Sequence, residues 1–556
     1  MRNRNTYSRL LQVLLLGVLL FAGGGVLNAQ LPLTRSYFTS TFTSIIGGPG
    51  TVVSTATGDD VGQAGIPIGF TFNYLGTPYT TLDLNTNGGM ALGASGLAGS
   101  AANANMFLTG TPSAAITAWW DDMTVDVGGG IYYQLAGTVG SQVMTVEWSC
   151  LSYYTGSTQR LRFQVKLYEG TNVIEFHYGT VTPGTVSVSE SATIGCKSTT
   201  GGVGQWLDVV TGSSNTGNYF MQAATDWPTR NYRLTPGAPS PLAAGTYTAG
   251  STGAYPNLSE AIADLNHRGV AGPVVISLTD ALYNNAVGGG DNWFPIVVGS
   301  VAGTSPVNTV LIQPVTGTST LNYDGDASGS IANGASSTAL GTATEPIFAL
   351  VGSDYVGVSN LNLTSTPGTS VVDRGIAVIN NAATNGAQFN AFNNITVSMN
   401  RTLTSTIGIW QNVATTPTSA LGANSNNSYT NLNIQSVYAG IYLLGNATFP
   451  DLACQIGTLS PTVFNTIGGT TANDIGNGGG TQTYGIRTGN QSGGSIFNNN
   501  VKNVGGTGTV DGILVELSQR HHECPSQQRE PDPQHIYHGD DQPLRDSFQH
   551  CHDGWS

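Results

Sequence analysis

The sequence predicts an all-β protein, in which an N-terminal β-sandwich precedes a right-handed parallel β-helix with a short N-terminal capping helix. Two observations carry this prediction. A Gly-Ile phrase recurs at intervals of 27 to 45 residues, at Gly375, Gly408, Gly440, Gly485 and Gly512. Asn-rich phrases with apolar residues at period two, a strand signature, alternate with it. Strand-only repeats of about 20 to 50 residues indicate the stacked turns of a solenoid.

The composition indicates the same all-β class and limits the kinds of partner that the protein can bind. The 556 residues include 75 glycines and only 9% are charged, which is typical of secreted all-β proteins. The formal net charge of -14 argues against nucleic acid as a partner, because nucleic-acid binding needs a basic surface. Polysaccharide or another cell-surface component is the partner class that remains.

The N-terminal residues predict that the protein is secreted. Arginines precede an apolar run, Val13–Ala22, and small residues follow as far as Ala29, which predicts a secretory signal peptide over residues 1–29. The alternative is a membrane anchor, but the uninterrupted run is shorter than the about 20 residues that a span requires. No later segment reads as a transmembrane segment. We therefore expect a secreted protein, extracellular or on the outer cell surface.

Residues 30–235 form the predicted β-sandwich domain. Short apolar runs separated by Gly, Asn and Pro favour antiparallel strands, and Leu161–Tyr168 with Val173–Tyr178 predicts a hairpin around the turn Glu169–Asn172. Cys150 and Cys196 fall in this domain and could form a disulfide worth about 4 kcal/mol. The alternative is that both are small buried hydrophobic residues.

This region resembles the N-terminal extracellular domain of large secreted Bacteroidetes-type surface proteins, which is itself similar to the nidogen-type extracellular domain. The motifs that carry the resemblance are Ile66–Phe72, Asn87-Gly88, Ala118–Asp122, Val146–Trp148 and Phe163–Gly179. The resemblance implies a cell-surface or secreted bacterial protein. It brings no catalytic residues with it.

A Pro-rich linker, residues 236–244, leads into the predicted β-helix at 245–516. Its prolines predict an extended, semi-rigid spacer. The helix that follows places Leu258, Ile262 and Leu265 on one apolar stripe, and Ser259 could cap it. A short helix at this point would cover the open end of a solenoid. This entry resembles the start of pectin-lyase-like β-helices in secreted bacterial surface proteins.

Residues 517–556 break the pattern. They hold six of the eight histidines but no Val, Thr, Ala or Asn. One interpretation is a metal-binding tail, because His and Cys are ligand types. The composition favours another, a frameshift that leaves a tail outside the fold and an incomplete β-helix. Codons can be chosen for Glu530–Trp555 whose +1 frame restores a strand-like stretch and a Gly-Ile phrase.

Candidate site residues are few. Trp119, Trp120, Asp121 and Asp122 combine aromatic rings with carboxylates, which could stack on a sugar or hold calcium; the alternative is a buried Trp beside a strand end. Asp324 and Asp326 alternate oxygen ligands as a calcium loop would, but no distal Glu follows as in an EF-hand, and a plain turn is the alternative. Calcium is therefore the one cofactor that the sequence leaves open.

Two functions fit these features. The first is a non-enzymatic secreted or surface protein for adhesion or glycan binding. The second is a polysaccharide lyase or glycoside hydrolase on the β-helix surface, which would need clustered carboxylates or a base beside bound calcium. The acidic residues of the repeat region are scattered, and Asp373-Arg374 is the best single candidate, with a solvated corner pair as its alternative. The sequence thus favours a protein that is not an enzyme.

Overall fold

The computed structural model describes residues 31–516, apart from the segments 54–55, 98–110, 155–157, 183, 185–189, 201–204, 209–218, 222–226, 229, 285–293, 324–344, 366–371 and 477–481. The predicted signal peptide at 1–29 and the tail at 517–556 lie outside the described residues. The fold is almost entirely β, as predicted, and is built from several sheets. Within the described part of the chain, no helix is both long and apolar enough to cross a bilayer.

The N-terminal domain consists of two mainly antiparallel sheets that face each other. Its strands are β1 Leu33–Phe38, β2 Thr51–Val52, β3 Gly58–Asp59, β4 Gly62–Tyr74, β5 Thr77–Asn85, β6 Gly89–Leu92, β7 Ala115–Trp120, β8 Met123–Ala136, β9 Val143–Tyr153, β10 Leu161–Tyr168, β11 Ile174–Tyr178, β12 Glu190–Lys197, β13 Trp206–Asp208, β14 Tyr219–Met221 and β15 Asn231–Pro236. The first sheet runs β1-β15-β11-β10-β9-β8-β2, with β3 on β8. The second runs β13-β12-β7-β6-β5-β4, with β14 on β12.

Alternation along these strands fills one core between the sheets. In β4 the buried positions fall on every second residue, because successive side chains point to opposite faces of a sheet. Phe72, Trp148, Phe163 and Phe176 are buried in this core. The predicted hairpin is confirmed, since β10 pairs antiparallel with β11. Its turn places Asn172 at a positive φ of 52°, which Asn tolerates better than most residues.

The C-terminal region consists of parallel strands and one capping helix. Its elements are β16 Gly245–Ala249, α1 Leu258–Arg268, β17 Val274–Leu278, β18 Leu282–Asn284, β19 Ile296–Val298, β20 Val310–Pro314, β21 Ser319–Asn322, β22 Pro346–Val351, β23 Val356–Thr364, β24 Arg374–Ile379, β25 Ala391–Ser398, β26 Ile407–Asn412, β27 Ser428–Gln435, β28 Ala439–Leu444, β29 Asp451–Leu452, β30 Gln455–Gly457, β31 Asn465–Ile467, β32 Gln482–Gly489, β33 Gln491–Ser492, β34 Ser495–Phe497, β35 Asn499–Val501 and β36 Thr509–Glu516. A 3-10 turn spans Ala420–Gly422.

Successive turns of this region, called rungs here, alternate between two parallel sheets. One sheet contains β16-β17-β20-β23-β25-β27-β30-β34 and the other β19-β22-β24-β26-β28-β32-β36. This pairing is compatible with the predicted β-helix. In the second sheet Ile376 pairs with Ile409, Ile409 with Ile441 and Ile441 with Ile486. All four are fully buried in one core cluster, so the isoleucines of the repeated phrase form a single inward column.

At four of the five Gly-Ile phrases, the glycine lies where a side chain would have no room. A Cβ on Gly440 would lie 2.2 Å from the carbonyl oxygen of Gly485 and 2.5 Å from Cγ2 of Ile467 on the opposite sheet. Gly375, Gly408 and Gly485 meet the same kinds of atom at 2.3 to 2.8 Å. The repeat therefore requires glycine at this position because the space between rungs excludes a side chain.

Asparagines stack at one corner of the rungs. Asn360, Asn394 and Asn431 all adopt positive φ angles between 54° and 59°. The Asn394 side-chain amide donates to Asn360 Oδ1 at 2.7 Å, and that of Asn431 donates to Asn394 Oδ1 at 3.2 Å. Asn is suited to this corner because its short side chain tolerates the left-handed region and provides both a donor and an acceptor.

Helix α1 covers the first rung, and one detail of its prediction was wrong. Leu258, Ile262 and Leu265 pack into the core of the parallel region, as expected. The N-cap, however, is Asn257, whose side chain accepts the backbone N–H of Glu260 at 2.8 Å. Ser259 is instead a buried residue inside the first turn. Both are good capping types, and only the backbone conformation decides between them.

The opposite face of α1 is buried against the N-terminal domain. Arg35 on β1 donates from Nη2 to the Glu260 carbonyl at 2.7 Å, and Tyr37 donates to the Ala254 carbonyl. In return, His267 donates from Nε2 to the Leu33 carbonyl. Burial lowers the pKa of His267, so a neutral imidazole is favoured here. The capping helix thus also forms the junction between the two domains.

We predict that Gly440→Ala destabilises the parallel region, because the new methyl group would lie against a backbone carbonyl that cannot move without disturbing the next rung. Overpacking of this kind costs about 1–3 kcal/mol. The measurement is the urea midpoint of unfolding. Gly512→Ala is the matched control, since it lies in the same phrase but a Cβ added there would have no heavy atom within 4 Å. Equal midpoints for the two variants would contradict the spacing argument.

Candidate functional site

The predicted Trp-Trp-Asp-Asp segment ends β7 and turns into β8. Both tryptophans are fully buried. Trp119 donates from Nε1 to the Tyr153 hydroxyl at 2.9 Å and packs against Trp227 in the core between the sheets. Trp120 lies on the other face of the sheet, in a small apolar cluster with Leu97. Neither ring therefore offers a face to a sugar in this structure, in line with the buried-Trp alternative.

The turn does bring Asp122 next to two carboxylates from a distant part of the chain. One carboxylate oxygen from each of Asp59, Asp60 and Asp122 lies within 4.8 Å of the others. Short strand β3 pairs with β8 and places Asp59 opposite Thr124, only two residues beyond Asp122. The sequence did not predict the Asp59-Asp60 pair, because no local sequence pattern indicates that β3 pairs with β8.

The Asn87-Gly88 turn connects the parts of this group, called the acidic corner here. Asn87 donates from Nδ2 to Asp60 Oδ1 at 2.9 Å and accepts the backbone N–H of Met123 on Oδ1 at 2.9 Å. Gly88 has a φ of 79°, and a Cβ there would lie 1.9 Å from the Trp119 carbonyl oxygen. A glycine is therefore needed for the turn to reach the β7 end.

The electrostatics of the acidic corner are unfavourable without a counter-charge. Burial, followed by the negative charges of Asp59 and Asp60, raises the pKa of Asp122 above its usual range. Burial and the charge of Asp60 likewise raise the pKa of Asp59. Oxygen ligands without nitrogen or sulfur suit a hard cation such as calcium, which takes six to eight of them. In the described part of the chain, this is the one group of three or more acidic, His or Cys residues close enough to hold a metal ion.

The other predicted metal and disulfide residues give a different outcome. Asp324 and Asp326 lie outside the described residues. Cys196, on β12, has a free and buried thiol, and burial raises its pKa to about 12 against an opposing hydrogen bond with Tyr74. The predicted disulfide with Cys150 is therefore not formed in this structure. The backbone of Cys150 lies on β9, in the sheet opposite β12.

Asp373 and Arg374 are not the solvated corner pair that the sequence left as an alternative. Arg374 is fully buried, and its Nη1 lies 3.1 Å from Asp373 Oδ2. The guanidinium also lies 4.9 Å above the centroid of the Trp410 ring. Burial raises the pKa of Asp373 even though Arg374 opposes the shift. A buried, mutually engaged pair of this kind does not present an accessible base.

The sequence also did not predict a layer of aromatic and basic side chains that includes Trp410 on the outer face of the second parallel sheet. Trp410 pairs in register with Tyr442, and Tyr442 with Arg487, whose guanidinium lies 4.9 Å from the Tyr442 ring centroid. Arg487 in turn forms an ion pair with Glu516 at 2.9 Å. Trp410 and Tyr442 are almost fully buried. This layer packs the outside of the sheet and does not offer free ring faces.

Four carboxylates of the rungs accept hydrogen bonds from backbone amides. Asp354 accepts the N–H of Gln388, Asp373 that of Glu345 and Asp451 that of Asn424, at 2.7 to 2.8 Å. Asp474 accepts the N–H groups of both Ser436 and Gly469. Each bond closes a corner or joins neighbouring rungs. These acidic residues therefore serve the fold, and they do not converge on a common point.

Comparison with known proteins identifies the N-terminal domain. Residues 34–236 match a family model described as NIDO related, which covers the chain from β1 to the end of β15. This match supports the nidogen-like part of the resemblance seen in the sequence. No curated protein and no solved structure matches the chain. For the parallel region, the strand pairing and side-chain contacts are therefore the basis of every structural statement.

We predict that Asp122→Asn raises the thermal unfolding midpoint at neutral pH in the presence of EDTA. The pKa of Asp122 is higher in the folded state than its unfolded value of about 3.9. Asp122 therefore contributes to folding stability below that pH, and the contribution is lost as pH rises through the folded-state pKa. The shift should be about 1–2 °C, because solvent screens partly exposed charges.

Two controls accompany this measurement. At a pH below about 3.9 the wild type and the variant should unfold at the same temperature, since the carboxyl groups are then neutral. Added calcium should raise the midpoint of the wild type more than that of Asp122→Asn if the acidic corner holds the ion. A variant that unfolds at a lower temperature than the wild type in EDTA would contradict the repulsion argument.

Proposed function

We propose that this protein is a secreted, non-enzymatic binding protein of the outer cell surface, acting in adhesion or glycan binding. In this proposal the NIDO-related domain sits on the end of a right-handed, pectin-lyase-like parallel β-helix, as in Bacteroidetes-type surface proteins. The observation that carries the non-enzymatic part is the use of the rung carboxylates. Asp354, Asp373, Asp451 and Asp474 each accept a backbone amide, so each has a structural role, and they do not converge on a common point as a catalytic pair would.

The junction between the domains supports a mechanical role. Helix α1 is buried on nearly every side, because its apolar stripe faces the parallel core and its polar face contacts β1 and β15. Glu260 illustrates this, since it receives Arg35 on its carbonyl and lies 3.6 Å from Arg230 on its carboxylate. A helix fixed on both sides resists bending between the domains. A rigid support that presents a binding domain away from the cell surface is the function that such a junction suits.

The test separates binding from turnover. The purified protein is incubated with a panel of acidic and neutral polysaccharides, with and without calcium. Reducing ends and unsaturated products report hydrolase and lyase activity, and affinity electrophoresis in the same gels reports binding. We expect retardation by at least one polysaccharide and no product from any. Clear turnover would instead support the polysaccharide lyase or hydrolase, and retardation by none would leave adhesion to a protein partner as the binding function to test.

The predicted secretion and signal-peptide cleavage are tested separately. Expression of the full chain in a Gram-negative host should yield a mature protein in the extracytoplasmic fraction. Its N-terminal sequence should begin at Gln30, because small residues precede the predicted cleavage point after Ala29. A protein that keeps its first 29 residues and stays in the membrane fraction would support the anchor alternative instead.

A further inference from the structure

A cavity of about 280 Å³ lies at one end of the NIDO-related domain. It is bounded by Leu31 and Pro32 at the start of the described chain, by the β4–β5 hairpin, and by residues 198–200 together with Gln205. The hairpin has a two-residue turn, Leu75-Gly76, with φ angles of 51° and 85°. Two positive φ values match the type I′ turn that joins twisted strands tightly. The hairpin end is therefore a firm wall and not a loose loop.

Two tyrosines form the aromatic side of the cavity. Tyr74 is almost fully buried, and its hydroxyl donates to the Lys197 carbonyl at 2.8 Å, which fixes the ring. Tyr79 is half-buried and lies directly over Gly93, where a Cβ would be 3.1 Å from Cδ1 of the ring. Both rings are thus held in position by backbone contacts. An apolar wall that is already in place costs little ordering entropy when a ligand packs on it.

Hydroxyl and amide groups form the polar side. Ser198 donates from Oγ to Gln205 Oε1 at 2.7 Å, and Thr200 donates from Oγ1 to the same atom at 3.2 Å. In this arrangement Oε1 accepts from both hydroxyl groups, and the Nε2 group is left for another partner. The Nε2 group of Gln205 makes no hydrogen bond with any described residue. It is consequently an oriented donor at the cavity wall.

The lining also decides the charge of a ligand. None of the ten residues around the cavity is acidic or basic. The chain carries a net charge of -14, which repels anionic polymers. A ligand with one apolar face and several neutral hydroxyl groups matches aromatic walls combined with hydroxyl and amide groups. A pyranose ring has this chemistry, because its C–H groups cluster on one face and its hydroxyl groups lie around the edge.

We propose that this cavity binds one neutral sugar unit at the end of a glycan chain. The inference rests on the proposed binding function and makes it specific. A single unit is the expected size, because the volume is below the roughly 300–1,000 Å³ of sites that enclose larger ligands. The sugar packs on the accessible part of the Tyr79 ring, and one of its hydroxyl groups accepts from Gln205 Nε2.

The test uses isothermal titration of the full chain with neutral hexasaccharides of glucose, mannose and xylose, and with hexagalacturonate as the acidic probe. Tyr79→Ala removes the ring and should weaken binding of the preferred neutral hexasaccharide by about tenfold. Gln205→Glu keeps the acceptor for Ser198 and Thr200 but removes the Nε2 donor, and it should weaken binding about fivefold. Tyr154→Ala is the matched control, because Tyr154 is an exposed tyrosine of the same domain that does not line the cavity.

Each result has a defined meaning. Weaker binding by both cavity variants with an unchanged Tyr154→Ala supports the proposal. Equal binding by the wild type and both cavity variants overturns it and leaves glycan binding to another surface. Binding of hexagalacturonate alone overturns the neutral specificity, whereas no binding of any saccharide overturns glycan binding as a whole. Thermal unfolding checks folding, and if Tyr79→Ala is unfolded, the near-isosteric Gln205→Glu decides the outcome.

Discussion

The close approach of the two parallel sheets at the Gly-Ile phrase is the constraint on which the long half of the molecule depends. At Gly440 the next rung's carbonyl oxygen occupies the space that a side chain would need. The isoleucine that follows can then enter the core in register with those above and below it. Because each rung repeats the same approach, a continuous apolar column forms without any helix inside it. A larger residue at one such glycine would displace both neighbouring rungs.

The polar residues of the rungs follow from the same constraint. At the tight turns between strands, backbone N–H groups do not take part in strand pairing. Buried N–H groups of this kind must find other acceptors. Buried asparagine and aspartate supply those acceptors: Asn390 Oδ1 accepts the N–H of Val356, and Asp451 Oδ1 accepts that of Asn424. Burial raises the pKa of Asp451 to about 6, although Gln411 and Gln491 oppose the shift with hydrogen bonds. The raised pKa of Asp451 therefore has its cause in the packing of the rungs.

Periodic features were predictable from the sequence, and contacts between distant segments were not. The isoleucine column and the asparagine corner could be predicted because a fixed spacing in sequence becomes a fixed stacking in space. The capping helix was predicted, but its first residue was misplaced, since Asn257 and Ser259 are equally good caps until the backbone angles are known. The acidic corner escaped prediction because strand β3 is only two residues long. The cavity beside Tyr79 likewise depends on three segments that no local pattern connects.

The Pro-rich segment after β15 is held at both ends. Its prolines predict an extended, semi-rigid spacer, and strand contacts fix where that spacer begins and ends. Pro236 pairs with Leu33 in the first sheet, and Gly237 donates its N–H to the Pro32 carbonyl. Leu242 then bridges to Val270 beside the first rung and is itself fully buried. The free span is thus only a few residues long and runs beside helix α1. The proline segment is therefore not the only connection, because the N-terminal domain also contacts helix α1 directly.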